Sequence, residues 1–136
     1  MRFMILVKAS KESEAGVMPS QDLLTAMADY HEQLAKAGVL LDGNGLHPSS
    51  KGWRFTWSGG KKTYTDGPFT EGKELVAGYT MIQVKSKEEA LEWTKRFPNP
   101  GVMDGGIEVR PMFELEDFTP GEAIDRFREM GLATTK

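Results

Sequence analysis

The sequence predicts an α+β domain, a sheet carrying both of its helices on one face. Phe3 to Val7 is apolar on both alternating faces, as a strand covered on two sides is, and Leu75 to Val84 is an apolar run that reads as a second central strand. Two segments with helical periodicity follow these strands, one from about Ser20 to Gly38 and one after Ser86. Together they give the order strand, helix, hairpin, strand, helix, strand.

Each element has its own residue logic. Lys8 to Met18 is polar and contains glycine, which reads as a loop. Ser20 caps the first helix, Asp22 favours its positive end, and Leu23, Met27, Tyr30, Leu34 and Ala37 form one stripe that Gly38 terminates. Val39 to Leu41 is a short apolar piece. The segment from Asp42 to Gly52 has too many turn formers to read as regular structure. Trp53, Phe55 and Trp57 share one face of a strand, Ser58-Gly59-Gly60-Lys61 turns it, and Lys62 to Thr65 returns. Ser86 and Glu89 fit a capping box for a short helix that buries Ala90, Trp93 and Phe97 and ends at Pro98-Asn99-Pro100-Gly101. Ile107 to Phe113 is the last strand, and Pro111, which has no N–H to donate, places it at an edge. A weaker helix spans roughly Glu122 to Met130, where Ile124, Phe127 and Met130 need a surface to cover them.

The chain has 136 residues, room for one domain with a real core. No repeat or linker divides it: residues 1–118 read as the domain and 119–136 as a helical tail packing on that domain or on a dimer partner. With 17 basic and 20 acidic residues the net charge is −3, which argues against nucleic-acid binding by bulk electrostatics. No basic amphipathic helix, bilayer-length apolar run or signal-peptide pattern points to a membrane. The absence of cysteine removes disulfides, thiolate nucleophiles and thiolate metal sites, so the expected compartment is the cytoplasm. Helices on one side only would leave large apolar residues on the other face of the sheet, for which dimerisation is the simplest remedy.

Chemistry must then come from histidine, acids, lysine, arginine and hydroxyls. His31 lies about 60° from the centre of the first helix's stripe at ~100° per residue. It is either a boundary residue with a packed ring or a general acid/base facing a cleft, with Asp42 as an orienting carboxylate. His47 sits in a loop of Gly, Asn, Pro and Ser, where a rigid sheet commonly presents functional groups. Thr65-Asp66-Gly67-Pro68-Phe69-Thr70-Glu71-Gly72-Lys73-Glu74 is a charged, rigid corner beside a core strand. Its charges either brace a turn or line a pocket mouth. The candidate proton-handling residues are His47 and Asp66, with His31 in reserve; Lys73, Phe69, Glu71, Lys51 and Asp42 are candidate ligand contacts. No ligand pair has a metal-site spacing, and Gly43-Asn44-Gly45 precedes no helix, so neither a metal nor a phosphate cradle is expected. No cofactor is expected.

Asp66-Gly67-Pro68-Phe69-Thr70-Glu71, then Lys73-Glu74 and Ala77-Gly78-Tyr79, resembles the DGPF-type branch of the YCII-related proteins. The resemblance extends to Ala37-Gly38-Val39-Leu40-Leu41, Gly45-Leu46-His47-Pro48, Lys85 to Ala90 and Ile107 to Pro111, thus over most of the chain to about Phe118. Gly72 departs from the pattern, where threonine is usual. The resemblance implies a ferredoxin-like sandwich that pairs into a dimeric α+β barrel. More distant members resemble enzymes with a His-Asp pair, one a dehydrochlorinase of aromatic degradation, but that histidine aligns near Met27 and is not carried over. Relatives of the branch are also associated with extracytoplasmic-function sigma factors. The expected function is therefore a homodimer binding a small polar or anionic molecule, with cofactor-independent elimination or isomerisation. The alternative is a non-catalytic ligand-sensing or protein-interaction module.

Overall fold

In chain order the elements are β1 (Arg2–Lys8), α1 (Lys11–Glu14), α2 (Gln21–Lys36), β2 (Leu40–Gly45), β3 (Trp53–Ser58), β4 (Lys61–Asp66), β5 (Val76–Gln83), α3 (Lys87–Lys95), β6 (Ile107–Pro111) and α4 (Glu122–Glu129). They come from a computed structural model that describes residues 1–100 and 105–135. Four strands form one antiparallel sheet in the order β2-β5-β1-β6, while β3 and β4 form a separate two-stranded ribbon. Apart from that inserted ribbon, the topology is β-α-β-β-α-β, consistent with a ferredoxin-like α+β fold.

Side-chain alternation assigns the two sheet faces. Phe3 and Ile5 of β1 stand opposite Ile82 and Thr80 of β5, and all four are buried on the helix side. Leu34 and Tyr30 of α2 and Ala90 of α3 complete that core. Complete burial of Ile5, Leu34 and Ile82 contributes about 2–3 kcal/mol each. The Tyr30 hydroxyl donates to the Trp93 carbonyl at 2.8 Å, fastening α2 to α3. Burial pushes this phenol up to about 12, slightly offset by the charge of Arg96. On the other face Met4, Leu6, Tyr79 and Met81 are half-buried and stand outside the main core cluster. Lys8, Glu108 and Arg110 pair along their margin.

Local signals explain most boundaries. Ser20 accepts from the Leu23 N–H at 3.1 Å and starts α2; Gly38, at φ +74°, follows its last turn. Gly59 and Gly60 both have positive φ, as a two-residue hairpin requires. Pro111 pairs on one side only, at the edge strand β6. Ser86 caps α3, but the Glu89 carboxylate accepts from the Lys85 N–H rather than from Ser86 itself, so the expected box is shifted by one residue. Gly101, expected to help end α3, lies outside the described residues, as does Lys136 of the tail.

Two segments differ from expectation. Residues 11–14 are a short helix, because Ser10 and Ser13 cap each other's N–H groups at 3.1 and 2.8 Å. Asp42 to Gly45, expected to be irregular, is a strand paired with Met81 to Gly78. Glycine is used there for close approach: a Cβ on Gly78 would lie 2.9 Å from the Asn44 carbonyl oxygen across the pair.

Candidate functional site

A cavity of about 740 Å³ opens between α2 and the C-terminal end of β1, beneath the segments 16–19 and 45–48. Leu23, Leu24 and Met27 of α2 and Val7, Leu46 and Ala77 give it a largely apolar lining. Its size is that of a small-molecule site. The fold produces it because the sheet here narrows to Gly43, Gly45 and Gly78, whose missing side chains leave space beneath the helix.

His31 projects from α2 into this cavity. Its Nδ1 lies 2.7 Å from the Met27 carbonyl oxygen and its Nε2 lies 2.8 Å from Oγ1 of Thr80. A carbonyl only accepts, so Nδ1 carries the proton, and in the neutral ring Nε2 accepts from the Thr80 hydroxyl. Protonation at Nε2 reverses that second bond: the imidazolium donates, and the Thr80 hydroxyl hydrogen turns to another acceptor. The pair therefore keeps its contact in both charge states. Tyr30 and Phe97 meet the imidazole edge-on, at centroid distances of 5.7 and 6.5 Å, and hold its plane. A Cβ on Gly43 would sit 3.5 Å from Nε2 and 3.7 Å from Oγ1 of Thr80, at ordinary van der Waals distance, so the strand backbone forms a close wall beside the pair.

The other candidates are distributed differently. Asp42 lies on the opposite sheet face from His31, accepting from the Gly43 N–H at 2.8 Å and the Tyr79 hydroxyl at 3.2 Å. His47 and Lys51 line the cavity and also border a second one of about 430 Å³, forming a ridge between the two. Asp66 lies at the end of β4, its carboxylate accepting from the Tyr64 hydroxyl at 2.5 Å, and it lines neither cavity. This bond to Asp66 pushes the Tyr64 phenol up. Lys73 is exposed in a 3-10 turn and also lines neither cavity. Phe69 borders the second cavity with the Arg54 guanidinium 3.7 Å from its ring centroid. Arg54 also pairs with Glu71 at 3.4 Å. Hydrogen bonding to its own backbone N–H, with Arg54 adding to it, holds the Glu71 carboxyl below its usual range.

The Asp-Gly-Pro-Phe turn organises the ridge. The Gly67 N–H donates to the Gly52 carbonyl at 3.0 Å, and the Phe69 N–H donates to Oγ of Ser49 at 3.0 Å. Ser49 in turn donates its hydroxyl to Glu14 of α1 at 2.5 Å and its N–H to the same carboxylate at 3.1 Å. Gly67 is not among the glycines with positive φ, so backbone freedom is not what this position asks of its residue. Glycine is required there because a Cβ would lie 1.8 Å from the Ser49 carbonyl oxygen.

Thr80 is the residue that sequence reasoning missed. Its signal was a hydroxyl at a helix-facing strand position, two residues before Ile82 and opposite Ile5. Among the described residues, no helix is long and apolar enough to cross a membrane.

Residues 1–116 match the YCII-related domain. The chain is also 34% identical over 113 residues to an uncharacterised protein of Rhizobium meliloti (strain 1021), a match covering 83% of this chain and 84% of that protein. With the domain match spanning all four strands of the main sheet and the cavity between them and α2, the chain belongs to the YCII-related family.

Proposed function

We propose that this protein binds a small polar or anionic molecule in the cavity beneath α2 and performs cofactor-independent acid/base chemistry there, of the elimination or isomerisation kind. His31 is the proton-handling residue of this reading, and His47 and Lys51 bind the ligand at the rim. The observation that carries it is the orientation of His31: one nitrogen is fixed by the Met27 carbonyl, and the other meets a hydroxyl at the wall of an otherwise apolar cavity. The Asp-Gly-Pro-Phe turn, which braces the rim through Ser49, supports placing the chain in the DGPF-type branch and gives that motif a positioning role. Pairing through the open sheet face, at Met4, Leu6, Tyr79 and Met81, and a cytoplasmic location complete the reading.

Reactions of this class begin by removing a proton from carbon, so the test is solvent exchange. The protein is incubated in deuterated water with a panel of carboxylates bearing acidic C–H bonds, and loss of proton signal is followed by NMR. The reading expects wild type to exchange one member of the panel and His31→Gln to bind it without exchange. Binding without exchange in wild type favours the second reading, a non-catalytic ligand-sensing or protein-interaction module linked to transcription regulation. What favours that second reading is the Thr80 hydroxyl, which occupies Nε2, the nitrogen that acid/base chemistry must free.

A further inference from the structure

The chain carries 20 acidic residues against 17 basic ones, yet among the described residues no Asp or Glu lines the larger cavity. The basic side chains that do line it are His31, His47 and Lys51. Glu14 is the carboxylate that lines the second cavity, and both its oxygens are engaged by the N–H and hydroxyl of Ser49. Lys51 makes no ion pair among the described residues, and neither does His47. Arg54, the other cation at the second cavity, is already paired with Glu71.

An organic cation entering this cavity would give up hydration and meet no carboxylate. A strongly polar neutral molecule would lie against leucine, valine and methionine side chains that return no hydrogen bonds. A molecule with an apolar body and one negative head satisfies both ends of the lining.

We propose that the ligand of this cavity is an organic anion with an apolar body, its head held at the ridge by Lys51 and His47 and its body lying against Leu23, Leu24 and Met27. The proposal rests on the ligand-cavity reading above and names its substrate class. It assigns Lys51 and His47 to charge recognition, separate from proton handling at His31.

The test holds the body constant and changes the head. Binding of 4-phenylbutyrate, 4-phenylbutanol and 4-phenylbutylammonium to the full chain is measured at pH 7 by NMR titration of backbone amides. The proposal expects the carboxylate to bind at least tenfold more tightly than the alcohol, the ammonium to bind most weakly, and the shifts to cluster at residues 23–31 and 45–51. In the double variant Lys51→Met, His47→Gln the carboxylate's advantage over the alcohol should fall below threefold. Equal affinity for carboxylate and alcohol at those same residues overturns the anion proposal and leaves the cavity reading standing. Binding of none of the three, or shifts confined elsewhere, overturns both.

Discussion

Replacing Gly67 with alanine asks whether the Asp-Gly-Pro-Phe turn is held against the 48–52 segment as tightly as the geometry says. The added Cβ would lie 1.8 Å from the Ser49 carbonyl oxygen and 2.7 Å from its carbonyl carbon, both main-chain atoms with no rotamer to escape into. The two segments must part by more than about 1 Å to regain van der Waals distance. That movement breaks the bonds from Gly67 to Gly52 and from Phe69 to Ser49, each 3.0 Å now. Two lost hydrogen bonds at ~1 kcal/mol each, with ~1 kcal/mol of residual strain, give a destabilisation of about 3 kcal/mol. For a domain of this size that is a fall in Tm of roughly 10 °C. Gly72→Ala is the control in the same motif, since nothing lies within 4 Å of its would-be Cβ, and its cost should stay below about 0.5 kcal/mol. The assay is thermal unfolding by circular dichroism of wild type and both variants. Asp66→Ala, which removes an exposed bond from Tyr64, should fall nearer to Gly72→Ala. A Gly67→Ala protein melting within 2 °C of the Gly72→Ala control would refute the close-approach argument (a threshold of roughly 0.5 kcal/mol).

Three further outcomes are expected. The Tyr30 phenol is held neutral up to about 12 in the fold and ionises near 10 when unfolded, so it contributes stability below pH ~10 that drains away as pH rises toward 12; Tyr30→Phe should flatten that part of an alkaline denaturation curve. Leu6→Asp, on the sheet face away from the main core, should convert a dimer to a monomer in sedimentation at micromolar concentration, and a wild-type monomer of 15.1 kDa would defeat the pairing proposal. The tail is proposed to pack through Ile124, Phe127 and Met130 on its own chain or its partner; the last two are 44% and 61% exposed, so their protection must come largely from a partner copy. Amide exchange across α4 should slow with rising protein concentration, and fast exchange at every concentration would count against it.

The parts of this fold legible in the sequence are those where local chemistry and tertiary packing agree. Ser20, the apolar stripe and Gly38 define α2 by themselves, and Gly59-Gly60 supplies the positive φ angles of its hairpin. Asp42 to Gly45 was opaque because its turn-forming composition serves another purpose: small residues let β2 approach β5 and leave space beneath His31. The site was half legible for a related reason. His31 stood out as a histidine at the edge of a helical stripe, but its partner Thr80 is 49 positions away in sequence and becomes a neighbour only when α2 packs on the sheet that holds β5. His47 and Lys51 were visible as loop candidates. What no local pattern reveals is that Asp66 lines neither cavity while its neighbour Gly67 bears on the backbone behind their ridge.

The most direct test follows the imidazole of His31 itself. Nitrogen-15 spectra of the histidine side chains resolve which ring nitrogen is protonated, and they can be recorded as 4-phenylbutyrate is added. If the cavity beneath α2 is the binding site, Nδ1 of His31 keeps its proton throughout because Met27 holds it, and the Nε2 resonance moves along a saturable curve that Lys51→Met weakens. An Nε2 resonance that stays fixed while the ligand saturates other residues would contradict the assignment of the site.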